Sequence, residues 1–180
     1  MRVTIPRAIS LPEPFWFEMS EQFPVVLRPG AFWDPPSRKN AFDLILASKA
    51  VSNQLALEAN LRNATQLAMS YRQGRLIATA TIKCPQGSYR ERVSAKSGID
   101  MRGIDAEFGY VAVDEPFRDR RLATILADRL LDDFQAPVFA TTGHPAMKKI
   151  LARKGFTEEG TSWPGGSSDE PVALSLFLRR

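Results

Sequence analysis

The chain of 180 residues holds one cysteine, Cys84, and one histidine, His144. A lone cysteine closes no internal disulfide, and a single imidazole with a single thiol cannot supply the four ligands of a structural zinc site, so no metal is expected. Nowhere do about 18 apolar residues run consecutively, the length a membrane-spanning helix needs. Behind Arg2 stands Val3-Thr4-Ile5-Pro6 rather than an apolar run, so a secretory leader is not expected either. These absences predict a protein of the reducing cytoplasm, without membrane partners. Apolar residues at 44% and charged residues at 24% are the balance of a globular chain, read as one domain over 1–180. The net charge of +4 favours anionic partners: nucleic acid, an acidic substrate or the phosphates of a nucleotide-like cofactor. The densest cationic cluster is Arg118-Asp119-Arg120-Arg121, which on charge alone is explained as a solvated surface.

Seven of the thirteen prolines lie within residues 1–36, among aromatics such as Phe15, Trp16, Phe17 and Trp33. That density blocks long helices and predicts extended pieces and turns, with Phe23–Leu27 as a strand. Ser37 is read as the cap of a helix running to about Leu61, with Leu44, Val51 and Leu55 on one face. Gln66–Tyr71 and Arg75–Lys83 form a hairpin turned at Gln73-Gly74. Residues 84–104 lack periodicity and are read as a long basic loop carrying Arg90, Arg92, Lys96 and Arg102. The apolar run Phe108–Val113 predicts a buried strand. A helix over Arg120–Phe134 follows, with Leu122, Ile125, Leu126 and Leu130 on one stripe. Then come a strand over Val138–Thr141, a helix over Pro145–Lys154 stopped by Gly155, a Gly-rich turn over Trp163–Glu170 and a strand over Val172–Leu178. The order predicts an α/β fold whose sheet holds both parallel and antiparallel pairs.

The segment from Ala106 to Thr124 is a strand, a tight turn and a helix start. The first amides of a helix lack intrahelical partners and, with the helix dipole, can hold an anion such as pyrophosphate. Ala123 is small enough to let a phosphate approach the backbone. An ordinary strand–turn–helix with a basic turn explains the same residues, and the physics alone leaves the two readings balanced.

Arg118-Asp119-Arg120-Arg121-Leu122-Ala123 resembles the Arg/Gln-x-x-Gly-x-Gly/Ala acetyl-CoA loop of the GNAT acyltransferases, behind a valine-rich strand as in that family. Gly143-His144-Pro145-Ala146-Met147 through Lys154-Gly155-Phe156 resembles the family's second signature, a helix closing in Gly-Phe. With the hairpin, the resemblance spans about residues 37–180. It implies a GNAT-type α/β fold: a mixed, mostly antiparallel sheet flanked by helices, its central strands splayed into an acyl-CoA cleft. It further implies transfer of an acyl group, acetyl by default, from acetyl-CoA to a primary amine in a ternary complex. Backbone groups of Val111 and Val113 would pair with the pantetheine arm. Amides of Arg118, Asp119, Arg120, Arg121, Leu122, Ala123 and Thr124 would hold the pyrophosphate. His144 stands where the family often has asparagine near the cofactor, and a capping role is the expectation for its side chain.

Glu107 is the expected general base, because amine attack needs an uncharged nitrogen and a carboxylate can take its proton. The competing reading is a carboxylate paired with an arginine of 84–104. The sequence departs from the family twice. Arg121 replaces the usual glycine, which strains the loop if the backbone requires positive φ. Leu151 replaces the tyrosine that in many members protonates the departing thiolate. Cys84 is expected as a packed thiol, and Trp33 and Trp163, with Phe15, Trp16 and Phe17, as core aromatics or, alternatively, walls of an acceptor pocket. Small-molecule or peptide amines are the expected acceptors, and a homodimer is compatible with the sequence. Acylation of nucleic acid (charged tRNA or a modified base) and a non-catalytic GNAT-like binding module are the alternatives.

Overall fold

Proline placement decides where the first helix begins. In the computed structural model, which describes residues 23–48, 51, 54–167 and 170–180, Pro35 and Pro36 occupy the first helical turn, where a missing N–H costs nothing. The cap is Asp34, not Ser37: the Asp34 carboxylate accepts from the Ser37 amide at 2.9 Å and from the Ser37 hydroxyl at 2.8 Å. Nor does one helix run to Leu61. Helix α1 spans Pro35–Ala47 and α2 spans Gln54–Arg62. Ala41, Ile45, Leu57 and Leu61 carry the burial, whereas Leu55 is 84% exposed, so the expected Leu44–Val51–Leu55 stripe is not the buried face.

The remaining helices are α3 over Gly87–Ser97, α4 over Leu122–Leu131 and α5 over Pro145–Arg153. The strands are β1 Val25–Arg28, β2 Gln66–Arg72, β3 Arg75–Lys83, β4 Ala106–Val113, β5 Val138–Thr142, β6 Thr157–Ser167 and β7 Glu170–Arg179. They form one sheet in the order β1-β2-β3-β4-β5-β7-β6, antiparallel throughout except for the parallel pair β4–β5. The expected mixed, mostly antiparallel sheet is what forms. The β2–β3 turn falls where Gln73 (φ 51°) and Gly74 (φ 75°) adopt the left-handed conformation a tight hairpin requires.

One face of the sheet is covered by α4 and α5. Leu122, Leu126 and Leu130 recur every four residues and pack with Ile150, Leu151, Ile82, Phe108 and Val138. Each such leucine, fully buried, contributes roughly 1.5–3 kcal/mol. The opposite face is shared. Helices α1 and α2 lie over Leu67, Met69 and Ala112, while Val93 of α3 packs with Phe139, Trp163, Leu176 and Leu178.

Two segments differ from the sequence expectation. Residues 84–104 are not a long loop but contain α3, ended by Gly98 at φ 75°, whose amide donates to the Ser94 carbonyl at 2.9 Å. Trp163–Glu170 does not form only a turn. Residues through Ser167 continue β6, with Trp163 opposite Leu174 and Pro164 opposite Ala173. Among the described strands β6 is the edge of the sheet, the place where a strand tolerates a proline such as Pro164. The strand bends at Gly160, φ 73°, within a register shift between Glu159 and Trp163. The expected aromatic cluster Phe15, Trp16 and Phe17 lies outside the described residues.

Candidate active site

Strands β4 and β5 share only the pairs Ala106–Val138 and Glu107–Phe139. On its other side β4 stays paired with β3 as far as Val113. From Gly109 to Val113, therefore, the edge of β4 that faces β5 has no strand partner among the described residues. Tyr110 marks where the strands part. It sits at φ 51°, unusual for a side-chain-bearing residue, within a register shift where β4 carries one residue more than β3. Such a bulge bends its strand and increases the local twist. Val111 and Val113 lie on this open edge with half-buried side chains packed toward α4.

The loop after β4 leads through a short 3-10 turn over Glu115–Phe117 into α4. Arg118, Asp119, Arg120 and Arg121 are all exposed, Leu122 is buried, and Ala123 and Thr124 are half-buried. The N-cap residue of α4 is Arg121, whose side chain makes no capping bond. The first-turn amides of α4 are thus left for solvent or an anion. The loop reaches this shape with Asp119 at φ 63° and Arg121 at φ 57°. The position does require positive φ, so the arginine there is strained by roughly 1–2 kcal/mol. Arg121→Gly is expected to remove that strain. After the glycine's own entropic penalty about 1 kcal/mol remains, a rise in melting temperature of about 2–4 °C by differential scanning fluorimetry.

β4 and β5 are parallel, so the turn into α5 emerges at the same end of the gap as the start of α4. His144 occupies the N-cap position of α5, exposed, and its amide donates to Thr142 Oγ1 at 3.1 Å. Its side chain makes no capping bond, contrary to the expected capping role. Leu151 is fully buried in the α4–α5 core and presents no proton to the gap.

Glu107 lies at the last β4–β5 pair. Its carboxylate is ion-paired with the Lys83 ammonium, and both residues are nearly closed to solvent, at 6% and 3% exposure. The partner is therefore a lysine directly opposite on β3, not an arginine of 84–104. Arg90, from that stretch, pairs instead with Asp105. Lys83 Nζ also stands 4.5 Å from the centre of the Tyr110 ring, a cation–π contact. Asn60 of α2 donates to the Tyr110 hydroxyl at 2.8 Å. Gly109 borders the pair: a Cβ there would lie 3.6 Å from both Glu107 Oε1 and Lys83 Nζ.

Tyr89 of α3 completes the cluster, and the sequence pattern does not single it out. Its hydroxyl shares a 2.9 Å hydrogen bond with Thr141 Oγ1, and its ring stacks on Phe139 at 6.4 Å. Counting on from the Glu107–Phe139 pair, Thr141 stands level with Gly109 across the gap. Burial, and next the negative charge of Glu107, push the Tyr89 phenol well above its ordinary range. Tyr110 is raised too, chiefly by burial. The one signal for Tyr89 is its spacing of four residues from Val93, which three polar residues in between obscure. Of the other candidates, Trp33 is a core residue donating to the Leu67 carbonyl at 3.2 Å. Trp163 borders a cleft between α3 and the β6–β7 hairpin, and Cys84 is exposed rather than packed.

No family model matches the sequence, and no curated protein matches it. Solved structures do match. An acyl-CoA N-acyltransferase from Pseudomonas aeruginosa aligns with a TM-score of 0.60 at 15% identity, covering 88% of this chain and 99% of that one. A GNAT-family acetyltransferase from Streptococcus pneumoniae aligns at 0.58 and 13%, covering 86% and 98%. Arabidopsis thaliana NAA60, solved with acetyl-CoA, aligns at 0.59 and 13%, covering 86% and 98%. The chain has the GNAT fold.

Proposed function

We propose that this chain, built on the GNAT fold, is an acyl-CoA-dependent N-acyltransferase acting on a primary amine. The observation that carries the reading is the juxtaposition of three features at one gap: the open β4 edge, the uncapped N-terminus of α4 and the buried Glu107. The residues suit a CoA thioester. An edge of unpaired backbone groups matches the amides of a pantetheine arm, and uncapped helix amides flanked by Arg118, Arg120 and Arg121 match a pyrophosphate. Acetyl-CoA, when bound, supplies the activated acyl group.

In this reading the backbone of Val111 and Val113 orients the arm, and the amides from Arg118 to Thr124 hold the phosphates. His144, at the same end of the gap, adds a polar wall. Glu107 takes the proton from the acceptor amine, giving an uncharged nitrogen. Lys83 compensates the carboxylate's charge inside the fold, which an isolated buried carboxylate could not sustain. The site's small-molecule or peptide amine reaches it from the face that carries Glu107, Lys83 and Tyr89.

Titration with acetyl-CoA in calorimetry and thermal shift tests the reading. At a concentration one hundred times Kd, stabilisation of about 2.7 kcal/mol is expected, or roughly 5–11 °C in melting temperature. Absence of binding at millimolar acetyl-CoA would overturn the enzyme reading in favour of a non-catalytic module.

A further inference from the structure

Beside Tyr89 lies a cleft of about 160 Å³ between α3 and the β6–β7 hairpin. Tyr89, Arg92, Val93 and Lys96 line it from α3, at the spacings of three, four and seven residues that share one helical face. Trp163, Pro164, Gly165 and Leu174 line it from the hairpin. Gly165 is part of the construction, since a Cβ there would stand 2.2 Å from Leu174 Cδ1.

The charge on this cleft is one-sided. Among the described residues no acidic side chain lines it, and both its cations are exposed. Among the described residues neither Arg92 nor Lys96 forms an ion pair, whereas Arg90 pairs with Asp105 and Arg102 with Asp100. The Arg92 guanidinium lies over the Tyr89 ring at 5.5 Å, so it is already turned toward the cleft. Tyr89 is common to both sites: its ring lines the cleft and its hydroxyl meets Thr141 level with Gly109.

We propose that this cleft is the acyl-acceptor pocket and that it selects a small amine bearing a carboxylate or phosphate several bonds from its nitrogen. The inference rests on the acyltransferase reading above and names its substrate class. The negative group sits between Arg92 and Lys96, the body of the molecule lies along Tyr89 and Trp163, and the amine reaches past the Tyr89 ring to Glu107. The transfer forms an amide C–N bond as the thioester C–S bond breaks. The amine proton passes to Glu107, and the electron pair leaves on sulfur as the CoA thiolate, which takes its proton from solvent.

Steady-state kinetics at saturating acetyl-CoA test this with four amines of similar length: aminovalerate, aminobutylphosphonate, aminopentanol and cadaverine. One or both anionic amines are expected to show a kcat/KM at least tenfold above aminopentanol and cadaverine, and their order distinguishes carboxylate from phosphate. In the Arg92→Glu/Lys96→Glu variant, whose changes lie on exposed side chains, the advantage is expected to vanish through KM while the acetyl-CoA Kd by calorimetry stays as it was. Equal use of all four amines by a protein that binds acetyl-CoA would overturn the pocket and leave the enzyme reading standing. Failure to bind acetyl-CoA would instead remove the reading beneath it. Turnover confined to tRNA, with a steep loss of affinity in salt, would overturn the small-acceptor proposal in favour of a nucleic-acid acceptor.

Discussion

Replacing Glu107 with glutamine alone is expected to lower the melting temperature by roughly 6–20 °C, whatever it does to catalysis. The ion pair with Lys83 is enclosed, and removing one partner of such a pair leaves an uncompensated buried charge, costing about 3–5 kcal/mol. At about 2–4 °C per kcal/mol for a chain of this length, the shift follows. The single variant therefore confounds chemistry with folding. The paired variant Lys83→Met/Glu107→Met separates them, because well-packed apolar residues in place of a buried ion pair are often neutral or stabilising. It is expected to regain most of the lost melting temperature and bind acetyl-CoA normally, yet to turn over acceptor about 100- to 10,000-fold more slowly. Wild-type turnover in the paired variant would take Glu107 out of the mechanism. An unchanged melting temperature in Glu107→Gln would contradict the buried pair itself.

The pair shows how far sequence reasoning reaches into the site. Glu107 is visible, because it precedes the apolar run of β4, and so is the turn into α4. Both are local features: a strand, a basic turn and a leucine stripe read in order along the chain. Lys83 is equally visible as the last residue of β3, but its role depends on a register that places it opposite a residue twenty-four positions away. The same limit hides Tyr89. It belongs to a helix whose buried residues are only Val93 and Ser97, so α3 is held by what it covers rather than by periodicity of its own. Where tertiary packing carries an element, composition reads it as loop. The β6 edge escapes for a related reason, since Pro164 and Gly165 look like turn residues until the strand is known to have only one neighbour among the described strands. Arg121 is different in kind. The sequence poses the question of positive φ there, and only the backbone answers it.

If α3 builds the acceptor side of the site, loosening it should impair the acceptor without touching the donor. Gly160 provides the means. A Cβ at Gly160 would lie 2.2 Å from the Ser97 carbonyl oxygen at the end of α3, and Gly160 also sits at φ 73°. The neighbouring Thr161 hydroxyl donates to that same carbonyl at 3.1 Å, so this is where the β6 bend grips the helix. Gly160→Ala combines overpacking of about 1–3 kcal/mol with left-handed strain of about 1–2 kcal/mol, and is expected to cost roughly 4–20 °C in melting temperature. Gly98→Ala is the matched control. It has φ 75° with nothing within 4 Å of the added carbon, so it carries the strain without the clash. The difference between the two isolates the grip that docks α3. Once β6 no longer holds the helix there, protection of α3 amides from hydrogen exchange should fall and the acceptor KM should rise at least tenfold. The acetyl-CoA Kd should change less than twofold, because the open β4 edge and the start of α4 lie elsewhere. Equal effects of Gly160→Ala on acceptor and donor would mean that α3 supports the sheet as a whole and not one side of the site.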